Sequence, residues 1–165
     1  MSALDATLEF LWNRRLGGQP ANAPSRWAIA MLEQGQESEA ILRLAGDGNL
    51  NDDLRAALVT EAVHDMNLQT LLDDDALDAA YERASVADYY AGVIDGWTLI
   101  QRGCNLHYKS GEKLLRSYWI VIAGEAGQHE QGICFQYPFN ERSFDDVLRE
   151  ALNDHGFPQY PDRGV

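Results

Sequence analysis

Apolar positions recur at helical spacing through the first two thirds of the chain. Leu4, Leu8, Leu11 and Trp12 share one face behind a capping Ser2, and Gly17-Gly18 close that segment near Arg15. A second helix is expected over about Ser25 to Gln34, with Pro24 near its start and Gly35 as its stop. Its apolar residues Trp27, Ile29, Met31 and Leu32 point several ways, so burial on most sides is expected. A short third helix, Ser38 to Ala45, ends at Gly46 and completes an αα-hairpin.

Asn51 caps a fourth helix whose broad apolar face includes Leu54, Leu58, Val59, Ala62, Val63 and Met66. Asp73, Asp74 and Asp75 open a fifth, continuing to about Tyr89 before Gly92 interrupts it. A shorter one runs from Asp95 to Arg102 and ends at Gly103. The pattern then changes. Tyr118 to Ile122 and Ile133 to Tyr137 are β-branched and aromatic, separated by a Gly/Gln/Glu-rich stretch, which predicts a hairpin between Arg116 and Tyr137. A helix from Gly111 to Glu125 fits the first run as well. Ser143 starts the last helix, carried by Val147, Leu148, Ala151 and Leu152 to Gly156. The expected fold is therefore α+β and predominantly α, five or six packed helices with one β-hairpin. It forms a single globular domain over 1–157, followed by a loose C-terminal tail over 158–165.

Composition changes this picture mainly through charge. The chain has 165 residues, ample for one core, and carries 13 basic against 26 acidic residues. The excess lies early: 5 basic and 15 acidic residues up to Glu82, then 8 and 11. Such a chain repels nucleic acid and anionic membrane surfaces, and a basic protein is its expected macromolecular partner. Solubility alone also accounts for net negative charge. The longest apolar run is far too short to span a bilayer. Met1 to Phe10 has no basic and apolar signal pattern, so a cytoplasmic location is expected.

No complete catalytic or cofactor motif is present, and no cofactor is expected. Asp47-Gly48-Asn49-Leu50-Asn51 matches the first half of a calcium loop, but Asp52 replaces its turn glycine and Leu58 its bidentate glutamate. Gly103 to Ser110 has a phosphate-loop outline with Tyr108 where the second glycine belongs. Cys104, His107, His129 and Cys134 are zinc-ligand types at plausible spacing, and a hairpin would let the two pairs meet. The plainer reading makes Cys134 a small core residue and leaves both histidines solvated. Cys134 with His129 as nucleophile and base lacks a recognisable oxyanion hole. The paired acids lie at helix starts, where the helix dipole already explains them.

The candidate partner surface is acidic: Asp52, Asp53, Asp73, Asp74, Asp75 and Asp78. Tyr89 and Tyr90 are its candidate aromatic anchors, because adjacent helical residues diverge by about 100° and one of the two should face solvent. The tryptophans sit in apolar context and are expected in the core.

Trp27-Ala28, Leu32, Gly35, Ser38, Ile41 and Leu44-Ala45-Gly46 resemble a helical pair of small uncharacterised acidic helical bacterial proteins. The resemblance covers only the early part of the chain and rests on packing and capping residues. Some proteins of this build are toxin-neutralising immunity proteins. It therefore implies a non-enzymatic binding role against a bacterial toxin, with no functional residues carried over.

Overall fold

Helix starts are dictated locally. Ser2 accepts the backbone N–H of Asp5 at 3.2 Å while the Asp5 carboxylate accepts that of Ser2 at 3.1 Å, a closed capping box. Ser143 and Asp146 repeat it at the last helix. Ser38, Asn51, Asp73 and Asp95 each accept a backbone N–H three residues on. Each such cap is worth about 1 kcal/mol.

A computed structural model describes residues 2–17, 19–46, 50–109, 116–130 and 143–157, with side chains described only to 127 in the fourth stretch. These residues form α1 (Ala3–Leu16), α2 (Ala23–Glu33), α3 (Glu39–Ala45), α4 (Asp52–Asp65), a 3₁₀ turn (Gln69–Leu72), α5 (Asp74–Tyr90), α6 (Gly96–Lys109), α7 (Tyr118–Glu130) and α8 (Phe144–Asp154). None of these helices is long and apolar enough to cross a membrane. The chain divides into two compact units, Met1–Tyr81 and Glu82–Val165.

In the first unit α1 packs on α2, α2 on α3 and α3 on α4, and the 3₁₀ turn rests on α4 and α1. Asn67, with φ 58°, makes the reversal after α4, a backbone region that asparagine tolerates better than most residues. Two aromatic stacks brace the core: Phe10 on Trp27 and Trp12 on Tyr81, each with ring centroids 4.7 Å apart. Phe10 thus points inward, while Leu4, assigned to the inner face by spacing, is exposed. The buried Trp27 indole donates to Thr7 Oγ1 at 3.3 Å, which keeps both polar groups partnered.

In the second unit α7 packs against α6 and α8. Its core contains Val86, Tyr89, Leu99, Ile100, Trp119, Ile122, Ala126, Leu148, Ala151 and Leu152. Burying each aliphatic side chain contributes about 1.5–3 kcal/mol.

The expected β-hairpin does not form. Tyr118 to Ile122 is the opening of α7, and no strand occurs among the described residues. Trp119, Ile122 and Ala126 are fully buried, whereas Ile120 and Val121 are exposed. Spacings of three and four are helical, and a strand would alternate at two. The weak β preference of this run yields to packing, because the helix seats the Trp119 indole on the backbone of Gly103. The proposed second strand, Ile133 to Tyr137, lies outside the described residues, as do residues 158–165. Gly103 also fails to end α6. It is buried mid-helix, and the helical course of Gly103 to Lys109 removes any phosphate-loop geometry there.

Two glycine substitutions should move stability in opposite directions. An added Cβ at Gly103 would lie 2.1 Å from the Trp119 ring. Gly103→Ala should cost roughly 1–3 kcal/mol, overriding the usual helical gain. Gly124 in α7 has open space, so Gly124→Ala should stabilise by about 0.5–1 kcal/mol. Urea unfolding followed by circular dichroism checks both.

Candidate partner-binding surface

The first unit holds 14 acidic and 5 basic residues, so the charge asymmetry seen in the sequence falls on the boundary between the two units. Ten of its acidic residues are exposed among those described. Asp52 is almost fully exposed at the start of α4 and meets Arg55 at 2.9 Å; Asp53 beside it is exposed. Asp73, Asp74 and Asp75 are exposed together at the start of α5. Asp73 caps the helix, and Asp74 meets Arg15 at 2.8 Å.

Asp78 is different. It is wholly buried, with Arg15 Nη2 3.3 Å from its carboxylate, and belongs to an internal ion pair and not to the surface. Tyr89 and Tyr90 are not solvent-facing anchors either. Tyr89 is buried and donates to Asp145 at 2.9 Å; Tyr90 is half-buried and donates to the Phe157 carbonyl at 3.1 Å. The Arg149 guanidinium lies over both rings, 5.2 and 5.3 Å from their centroids. Burial first, then the Asp145 hydrogen bond, holds the Tyr89 hydroxyl well above its ordinary range, and burial raises Tyr90 too. These tyrosines tie α8 to α5.

Trp97, which the sequence assigned to the core, is the exposed tryptophan of the described residues. Its position was legible. Leu99, Ile100, Gly103 and Leu106 define the buried stripe of α6, and residue 97 lies more than 90° from its centre.

The proposed metal ligands are only partly in view. Cys104 and His107 stand one turn apart on α6, while the His129 side chain and Cys134 lie outside the described residues. Among the described residues no three His, Cys, Asp or Glu side chains converge. Burial pushes the Cys104 thiol up, away from the thiolate that ligation requires. Asp47 to Asn49 are likewise outside the described residues, and the Asn51 side chain is occupied in capping α4 at 2.8 Å.

Sequence spacing gave no sign of one further feature. A cleft of about 500 Å³ opens beside the Phe10–Trp27 stack, with Glu9, Asn13, Gln19 and Arg26 among its walls. Asn13 already donates to Glu9 at 3.1 Å and Gln19 to the Phe10 carbonyl at 2.9 Å.

No protein-family model matches the chain, and neither a curated protein nor a solved structure does.

The two kinds of aspartate should separate on mutation. Asp78→Ala removes the buried one of the two aspartates that hold Arg15, leaving Asp74 as the other, and should cost about 1–3 kcal/mol. Asp52→Ala should stay within about 0.5 kcal/mol, since exposed pairs contribute little. Chemical denaturation of the two variants measures the difference.

Alkali should weaken the fold. Tyr89 and Tyr118 are both held neutral in the folded chain above their ordinary pKa of 10.0, chiefly by burial and then by hydrogen bonds to Asp145 and Glu82. Above that pH the unfolded chain binds fewer protons than the folded one. The stabilisation is therefore complete below about pH 10 and is lost as pH rises toward the folded values. Urea midpoints from pH 8 to 11 should fall, and should fall less steeply in Tyr89→Phe.

Proposed function

We propose that the protein is a non-enzymatic binder of a basic protein, acting in the cytoplasm, and that its first unit carries the acidic face. The observation that carries this reading is the acidic excess of that unit, 14 acidic against 5 basic residues with ten of the described carboxylates exposed, and with Arg15 and Arg55 already engaged by aspartates. Such a field accelerates encounter with a cationic surface and makes the association sensitive to salt. The concrete form is an immunity protein that neutralises a bacterial toxin. Asp52 and Asp53 at the start of α4, and Asp73, Asp74 and Asp75 after its other end, are the surface members of the binding set, and Asp78 holds Arg15 beside Asp74.

Capture from native lysate at about 50 mM salt, within the weakly screened regime, should return one stoichiometric basic partner. The expected dissociation constant is about 10⁻⁹ M. It should rise at least about tenfold at 0.5 M salt, and similarly in Asp52→Lys/Asp53→Lys. A partner whose affinity ignores both changes, or no partner at all, overturns the reading.

A further inference from the structure

Two helix starts of the second unit meet at an aromatic pair. Trp97, in the first turn of α6, stacks on Phe144, the first residue of α8, with centroids 4.9 Å apart and planes inclined by 19°. Gly96 permits the approach, because a Cβ there would lie 2.7 Å from both Phe144 and Leu148. Phe144 stacks on one face of the indole, and Trp97 nonetheless remains 44% exposed. Val93, four residues earlier, is 66% exposed. An exposed aromatic side chain held in place by a stacked neighbour, an aromatic shelf, is a common anchor of a protein contact.

Charge selects the occupant. Asp95 precedes Trp97 by two residues, and Asp145 and Asp146 directly follow Phe144; all three are exposed. Asp95 accepts the Thr98 N–H at 2.7 Å, which keeps its carboxyl below the ordinary range and charged at neutral pH. Arg149, 3.6 Å from Asp145, is the cation paired there, and it is held over Tyr89 and Tyr90. Among the described residues that flank Trp97 and Phe144 in the chain, carboxylates therefore outnumber cations. An anionic group is repelled there, and an aliphatic one draws nothing from the carboxylates.

We propose that the exposed part of the Trp97 indole receives an arginine side chain of a basic protein partner, its guanidinium stacked on the ring and drawn by the carboxylate of Asp95, two residues before it. The proposal rests on the reading of the protein as a binder of a basic protein. Arginine is favoured over lysine because a planar guanidinium stacks on a ring while a compact ammonium does not. The same contact is made within the chain by Arg149 on Tyr89 and Tyr90.

The test uses the full chain and a hexa-arginine peptide, titrated calorimetrically at low salt, with hexalysine for comparison. Trp97→Phe should bind hexa-arginine within about twofold of the native chain, whereas Trp97→Leu should bind roughly threefold to tenfold more weakly. Asp95→Asn keeps a good helix cap but removes a charge, and should also bind more weakly without loss of fold. Hexalysine should bind less tightly than hexa-arginine. Unchanged affinity in Trp97→Leu and Asp95→Asn, at unchanged melting temperature, overturns the proposal. If Asp52→Asn/Asp53→Asn loses affinity while Trp97→Leu does not, the shelf is wrong and the acidic-binder reading stands. If Trp97→Leu alone loses affinity, the shelf stands and the acidic face of the first unit does not. Absence of any hexa-arginine binding removes both.

Discussion

The second unit depends on one buried carboxylate. Glu82 is 8% exposed and accepts hydrogen bonds from the Tyr118 hydroxyl and from the Trp119 indole at 2.6 Å. Arg116 stands 3.7 Å from its other oxygen. A buried carboxylate left alone would be strongly unfavourable, so the fold must bring these partners to it. Three of the four residues from Arg116 to Trp119 are bound to one point on α5. That fixes where α7 begins and turns Trp119 onto Gly103. From there Ile122 and Ala126 follow into the core at helical spacing. Such a network contributes orientation more than net stability, because desolvation offsets most of the attraction.

The first unit is organised differently. Its interior is held by aromatic stacking and aliphatic packing, and charge is kept almost wholly outside. Among the described residues, Asp78 with Arg15 is the internal exception. The outward excess of carboxylates opposes compaction slightly through self-repulsion, yet favours approach of a cationic surface from a distance. The proposed binding role uses that long-range field. The shelf at Trp97 adds a short-range contact of another kind, one in which the indole and the Asp95 carboxylate act on the same cation.

The caps and their helices were legible because a cap is a local event. Ser2, Ser38, Asn51, Asp73, Asp95 and Ser143 each act on a backbone group three residues away, and no distant contact competes for that role. Helical periodicity likewise gave the buried face of α4, where Leu58, Val59, Ala62 and Val63 lie inside; in α3 it placed Ile41 inside correctly but also Leu42, which is exposed, while Leu44 is buried. Of the candidate site, the charge was fully legible, since counting residues requires no geometry. The state of each charge was not. Asp74 and Asp78 stand one turn apart and look alike in sequence, but one is exposed and the other wholly buried.

By itself, then, the sequence determined helix starts, the apolar stripe of α4 and a strongly acidic first half. Tertiary structure decided that Tyr118 to Ile122 is helical, that α6 passes through Gly103, and that Tyr89 and Tyr90 bind α8. The physical reason is the same in each case. Intrinsic preferences differ by about 1 kcal/mol or less per residue, while seating a large side chain or a buried charge is worth several. The stronger interactions join residues far apart in the chain, and their meeting is visible only once the helices are packed.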